Sequence, residues 1–242
     1  MKYDNTFSIH RYFNTNFDLG YAPQKYKFGK KPILVLILFW WIILPIFIIK
    51  TVISNKKIKE WNEAYEYRRS NWWKEYEKHL AKTIKDFNIQ KAALKKLGLV
   101  EDDPDLKTVA PITLQGPKFD GYWRQAVNGR YRTSKYELTY IVFKKEQVLL
   151  YIANIDLLDP NKKKESTLEF FYSDITSVST TTVSTKPKQK DAEGHEVQEI
   201  DTEAFVLIVP GDKISLAFTP YDGFDESCIN GMKALIRERK RA

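Results

Sequence analysis

The chain has a single cysteine, Cys228, among its 242 residues, so it cannot form an internal disulfide or supply a cysteine-rich zinc site. Its three histidines, His10, His79 and His195, lie far apart and form no metal-binding spacing with acidic residues. The chain also lacks a glycine-rich phosphate loop and a nucleophile motif. The sequence therefore predicts no catalytic residue, cofactor or metal site, and no small-molecule substrate.

The formal net charge is +8, from 39 basic and 31 acidic side chains. Charges of both signs are interspersed, which is typical of a solvated surface. A basic chain beside a membrane can also contact anionic lipid headgroups. No nucleic-acid-binding motif accompanies the basic residues, so a nucleic-acid partner is not expected.

Residues 33–49 read ILVLILFWWIILPIFII, which is seventeen residues without a charge. A helix of about 20 apolar residues crosses the hydrocarbon core of a bilayer. We therefore predict a single-pass transmembrane helix over residues 32–54, after an N-terminal tail of residues 1–31. No small-residue cleavage site follows the run, so the helix is expected to be an uncleaved signal-anchor.

The basic residues that flank the predicted span favour a cell-membrane protein with a cytoplasmic C-terminal domain. The excess on the C-terminal side is small, however, and the N-terminal tail would have to cross the membrane with its own basic residues. An outward-facing C-terminal domain therefore stays open as the alternative. The flanking basic residues are Lys25, Lys27, Lys30 and Lys31 before the span, and Lys50, Lys56, Lys57, Lys59, Arg68 and Arg69 after it.

Residues 55–98 predict a long amphipathic helix with one apolar and aromatic stripe. Gly98 is a suitable C-cap because glycine readily adopts the left-handed conformation. A stripe of this length must be buried, either against the chain's own C-terminal domain, in a homodimer, or against an unidentified partner protein. The residues of this possible docking stripe are Trp61, Tyr65, Trp72, Tyr76 and Leu80.

After a linker at residues 99–110, apolar residues recur with the period of two that is typical of β-strands. Short turns at Asn128-Gly129 and Pro210-Gly211 predict antiparallel hairpins. Strands that are apolar on both faces favour a small closed or sandwiched barrel. Residues 184–202 predict a long polar loop. A C-terminal amphipathic helix should follow, with Cys228 buried on its apolar face.

Residues 110–242 resemble the bacterial pleckstrin-homology-like (PH-like) and GRAM-like domains. The resemblance rests on the order LEFFYSDITSVST, AFVLIVPGDKISLAFT and INGMKALIRERK. It implies an antiparallel β-barrel over residues 111–242 that is closed by the C-terminal helix. The whole layout also looks like that of single-pass bacterial membrane proteins, so the expected fold is α+β, with a transmembrane helix, a long amphipathic helix and the barrel.

Two functional hypotheses follow, since PH-like domains bind either proteins or lipid headgroups. In the first, the chain is a membrane-anchored, non-catalytic interaction module or scaffold. In the second, it senses the envelope by binding membrane lipid at an anionic surface. The residues that would contact anionic lipid are Lys56, Lys57, Lys59, Arg130, Arg132 and Lys135.

Overall fold

A computed structural model describes residues 3–14, 17, 19–27, 40–187, 199–218 and 226–241. The chain is an α+β protein that divides into two compact units, Met1–Tyr76 and Glu77–Ala242. The helices are α1 (Ile9–Tyr12), α2 (Trp40–Phe87), α3 (Ile89–Leu97), α4 (Pro104–Thr108) and α5 (Glu226–Arg241). The strands are β1 (Ile112–Gln125), β2 (Tyr131–Phe143), β3 (Gln147–Asp156), β4 (Lys164–Phe171), β5 (Ser177–Thr185), β6 (Ile200–Val209) and β7 (Asp212–Phe218).

The predicted transmembrane helix is wrong for the part of the chain that the structure describes. No helix there is both long and apolar enough to cross a membrane. Residues 32–39 of the predicted span lie outside the described residues. The absence of such a helix from the described residues overturns the single-pass, signal-anchor and cell-membrane predictions, together with the orientation inferred from them.

The helical region predicted over residues 55–98 is divided at Asn88. Asn88 has a positive φ of 47°, a conformation that asparagine tolerates better than most residues. Its side chain accepts a hydrogen bond from the backbone N–H of Lys91, which caps the start of α3. Gly98, with φ of 68°, ends α3, so the predicted C-cap is confirmed.

The strands form two antiparallel sheets, one with the order β1-β2-β3-β4 and the other with the order β5-β6-β7. The predicted hairpins are confirmed. Gly129 has φ of 78° in the turn between β1 and β2, and Gly211 has φ of 84° in the turn between β6 and β7. Both positions therefore need the left-handed conformation that glycine adopts without a steric penalty.

The main core lies between the sheets and is closed on one side by α5. Residues from both sheets, including Leu150 and Leu207, pack there with Ile229 and Met232 of α5. The other face of the first sheet, with Tyr140 and its cross-strand partner Tyr151, is also buried. Helix α3 contacts β2 and β3, which explains why these strands are apolar on both faces.

The predicted closed barrel is wrong: within the described residues, no strand ladder joins one sheet to the other. The sheets approach each other where Gly116 of β1 lies against the backbone of Ala217 of β7. At this point the N–H of Ala217 donates to a side-chain oxygen of Glu137 instead of a backbone carbonyl of β1. The backbone donor that a closing ladder would use is therefore already occupied.

The C-terminal helix forms as predicted, but its buried face differs from the predicted one. Ile229, Met232 and Ile236 are buried, whereas Cys228 is exposed, so the prediction of a buried cysteine is wrong. Ile229, Met232 and Ile236 have the spacing i, i+3 and i+7, so they lie on one face of the helix. This face begins one residue after Cys228 in the sequence. Residues 188–198 of the predicted loop lie outside the described residues.

Candidate binding cleft in the C-terminal unit

A bulge in β1 shapes one wall of a cleft. The pairing of β1 with β2 shifts between Lys118 and Trp123, so that four residues of β1 lie opposite Ser134 alone. Thr133 Oγ1 donates to the carbonyl of Lys118 at 2.6 Å, and Ser134 Oγ accepts from the N–H of Tyr122 at 3.1 Å. Thr133 and Ser134 are both fully buried. These bonds satisfy the backbone groups that the bulge removes from the ladder.

The cleft has a volume of about 510 Å³ and lies between the ends of the two sheets. Its side of the second sheet carries Ala204 and Ala217, which are cross-strand partners. Their neighbours Phe205 and Leu216 belong to the main core. Because successive side chains alternate between faces, the second sheet presents one face to the core and the other to the cleft. The lining residues that matter below are Lys118, Phe119, Asp120, Lys135, Lys162 and Lys164.

Two of the four lysines in the cleft have carboxylate partners. Lys118 Nζ lies 2.7 Å from Glu137 Oε2, and Glu137 is buried. Lys135 Nζ lies 3.1 Å from Asp120 Oδ2. These pairs fix the positions of the lysine side chains but leave little net charge at their end of the cleft.

The other two lysines, Lys162 and Lys164, are exposed. Neither forms an ion pair with a carboxylate in the described part of the chain, whereas the intervening Lys163 pairs with Glu165 at 3.0 Å. Asp156 also lines the cleft, and its Oδ1 accepts from the N–H of Leu158. The cleft therefore has an excess of positive charge at the start of β4, which favours an anionic ligand.

A second charged cluster lies on the opposite face of β4 and attaches α3 to the first sheet. Glu165 pairs with Lys163 at 3.0 Å and with Lys96 of α3 at 3.1 Å. Hydrogen bonds from these lysines lower the pKa of Glu165 to about 2. Burial, followed by the nearby Glu165 carboxylate, raises the pKa of Tyr151 above its usual range. This cluster is a structural clamp and is separate from the cleft.

Most of the predicted aromatic stripe is covered by the chain's own N-terminal segment, of which the structure describes residues 3–14, 17 and 19. Tyr76 stacks on Tyr12 with ring centroids 5.0 Å apart, and Trp72 meets Phe17 edge-on at 5.7 Å. Trp61 and Leu19 share one small cluster, against which Tyr65 packs. Leu80, the last residue of the stripe, is buried within the C-terminal unit.

Arg68 holds the N-terminal segment on α2. Its guanidinium is buried and donates to the backbone carbonyls of Asp4 and Phe17. The same group lies over the ring of Trp72, 4.6 Å from the centroid. The sequence pattern did not identify Arg68 as a structural residue, because an arginine within a helix usually faces solvent.

The residues predicted to contact anionic lipid are divided between the two units and differ in their exposure. Arg132 is buried and pairs with Glu77 at 2.6 Å, so it is not available to a lipid headgroup. Arg130 lies in the turn between β1 and β2, and only Lys135 lines the cleft. The remaining residues of the set, Lys56, Lys57 and Lys59, are exposed on α2 within the N-terminal unit.

Sequence reasoning missed Lys118, Lys162 and Lys164. The available signal was the basic run at residues 162–164 immediately before a predicted strand.

Among the residues that the structure describes, no group of three or more His, Cys, Asp or Glu side chains could hold a metal ion. Comparison with known proteins finds no matching family model, curated protein or solved structure.

Proposed function

We propose that this chain is a non-catalytic protein-interaction module that binds an acidic segment of a partner protein in the cleft of its C-terminal unit. The observation that carries the proposal is the pair of cleft lysines, Lys162 and Lys164, which have no carboxylate partner among the described residues. The aromatic stripe supports the proposal less well, since the N-terminal segment already covers most of it.

The composition of the cleft favours a peptide over a compact, highly charged anion. Apolar side chains such as Phe119, Ile155 and Val183 line it together with the lysines. Asp120 and Asp156 also line it and would repel a dense cluster of phosphates. A peptide can place single carboxylates beside the lysines and apolar groups beside Phe119, and so avoid that repulsion.

Selection of a random peptide library against the full chain tests the proposal. We expect the enriched peptides to be rich in Asp and Glu, and to lose binding to the double variant Lys162→Glu/Lys164→Glu. The matched control is Lys56→Glu/Lys57→Glu, which changes the net charge equally within the N-terminal unit. The proposal fails if no peptide is enriched, or if the enriched peptides bind the two double variants equally.

A further inference from the structure

The strand that starts at the cleft lysines is the edge of its sheet. In the described residues, β4 pairs only with β3. The outer backbone edge of Lys164–Phe171 therefore has no strand partner among the described residues. An edge of this kind presents N–H and C=O groups that an extended segment can pair with.

The inward face of β4 changes from basic to apolar along the strand. The register with β3 places Lys164, Ser166, Leu168 and Phe170 on the same face as the core residues Leu150 and Val148. Lys164 lines the cleft, whereas Leu168 and Phe170 are partly buried against the main core. The outward face carries Glu165 and Glu169.

We propose that the acidic segment of the partner binds by adding an extended, antiparallel strand to the free edge of β4. This inference rests on the function proposed above and specifies the conformation and sequence pattern of the bound segment. Its inward positions are apolar beside Phe170 and Leu168, polar beside Ser166, and acidic beside Lys164 and Lys162. Its outward positions are neutral or basic, because Glu165 and Glu169 would repel carboxylates there.

Another edge strand that borders the cleft, β5, is less suited to an acidic segment. Its sequence, SVSTTTVST, carries no charge. Helix α5 contacts β5, and Lys233 Nζ donates to Thr180 Oγ1 at 3.0 Å. The β4 edge therefore combines charge complementarity with an open backbone, whereas β5 offers no charge that selects for carboxylates.

The test uses the full chain and a nine-residue peptide, Val-Thr-Val-Thr-Ser-Thr-Glu-Thr-Glu, written to match this pattern. A second peptide has Gln in place of both Glu residues. Two further peptides carry N-methyl groups on either the odd or the even backbone amides. Affinity is measured by fluorescence anisotropy, and the site is mapped by hydrogen exchange of residues 164–171.

The acidic peptide should bind about tenfold or more tightly than the Gln peptide, and it should slow exchange in β4. Lys162→Glu/Lys164→Glu should remove this preference, whereas Lys56→Glu/Lys57→Glu should retain it. Since an added strand pairs through alternate amides, one N-methyl series should lose binding and the other should keep it.

Three results would overturn strand addition. In the first, the two N-methylated peptides bind with equal affinity. In the second, hydrogen exchange in β4 stays unchanged although binding still depends on Lys162 and Lys164. In the third, library-selected peptides bind the chain but the designed acidic peptide does not. Each of these leaves the proposed function standing. Lysine-dependent binding of phosphatidylserine vesicles, with no binding of any peptide, would instead overturn both proposals.

Discussion

Glu137 of β2 accepts a hydrogen bond from the backbone N–H of Ala217 on β7, with 3.0 Å between Oε1 and N. The second carboxylate oxygen of Glu137 binds Lys118 at 2.7 Å. One buried side chain therefore joins the two sheets and also positions a lysine of the cleft. A carboxylate takes the place that a backbone carbonyl would have in a closed barrel.

Substitutions of Glu137 should show how much its hydrogen bond to Ala217 contributes to stability apart from its ion pair with Lys118. Glu137→Ala leaves the N–H of Ala217 without its acceptor, so we expect a loss of about 2 kcal/mol in the free energy of unfolding. Glu137→Gln keeps an acceptor and should cost less. The measurement is urea unfolding of the full chain. Glu169→Ala, at an exposed position on β4, is the control and should change stability by less than ~0.5 kcal/mol. Equal effects of the two alanine variants would contradict the role of Glu137.

Gly116 should be intolerant of a side chain because a Cβ there would lie 2.5 Å from the backbone carbon of Ala217. We expect Gly116→Ala to destabilise the fold by about 1–3 kcal/mol, as overpacking does. Gly231→Ala in α5 is the matched control, since nothing lies within 4 Å of the added methyl group. Alanine is also the better helix former, so this control should gain about 0.5–1 kcal/mol. Thermal unfolding that ranks the two variants in the opposite order would refute the close approach.

Arg68 should be needed to hold the described residues of the N-terminal segment on α2. Arg68→Lys keeps the charge but loses the planar guanidinium that donates to two separate carbonyls. Hydrogen exchange in residues 3–14 should become about tenfold faster or more, which corresponds to ~1.4 kcal/mol or more. Arg69→Lys is the control, because the ion pair of Arg69 within the described residues, with Glu66 at 3.7 Å, is exposed. Similar exchange in both variants would show that Arg68 does not anchor the segment.

The Glu165 clamp predicts a specific dependence of stability on pH. The folded pKa is lowered to about 2 by Lys163 and Lys96, so the unfolded state binds a proton more readily. The stabilisation is therefore complete above the ordinary pKa of 4.5 and is lost as pH falls from about 4.5 towards 2. The difference in unfolding free energy between wild type and Glu165→Gln should be constant near neutral pH and shrink across that window. A difference that does not depend on pH would exclude the clamp.

Much of the local structure could be predicted from the sequence, because alternation and turn residues specify strands directly. The hairpin glycines Gly129 and Gly211 and the C-cap Gly98 are examples. The break at Asn88 could not be predicted, since asparagine is compatible both with a helix and with the left-handed conformation, so the residue type does not select between them. The open arrangement of the sheets was also missed, because it depends on a contact between Glu137 and Ala217, eighty residues apart.

The site was harder to predict than the fold. Trp72 and Tyr76 have the helical spacing of a docking stripe, but their aromatic partners lie in the N-terminal segment, which has no clear period. Arg132 has the appearance of a surface cation in the sequence, whereas the structure buries it with Glu77. Lys118 and Lys164 come together only through the register of the first sheet and the bulge in β1.

Zero-length carbodiimide cross-linking tests the central claim most directly. A library-selected acidic peptide would be coupled through its carboxylates to the lysines of the full chain, and the linked residues would be identified by mass spectrometry. Our account predicts that the amide bonds form mainly at Lys162 and Lys164. Cross-links that concentrate instead on lysines outside the cleft, such as Lys56, Lys57 or Lys145, would contradict it.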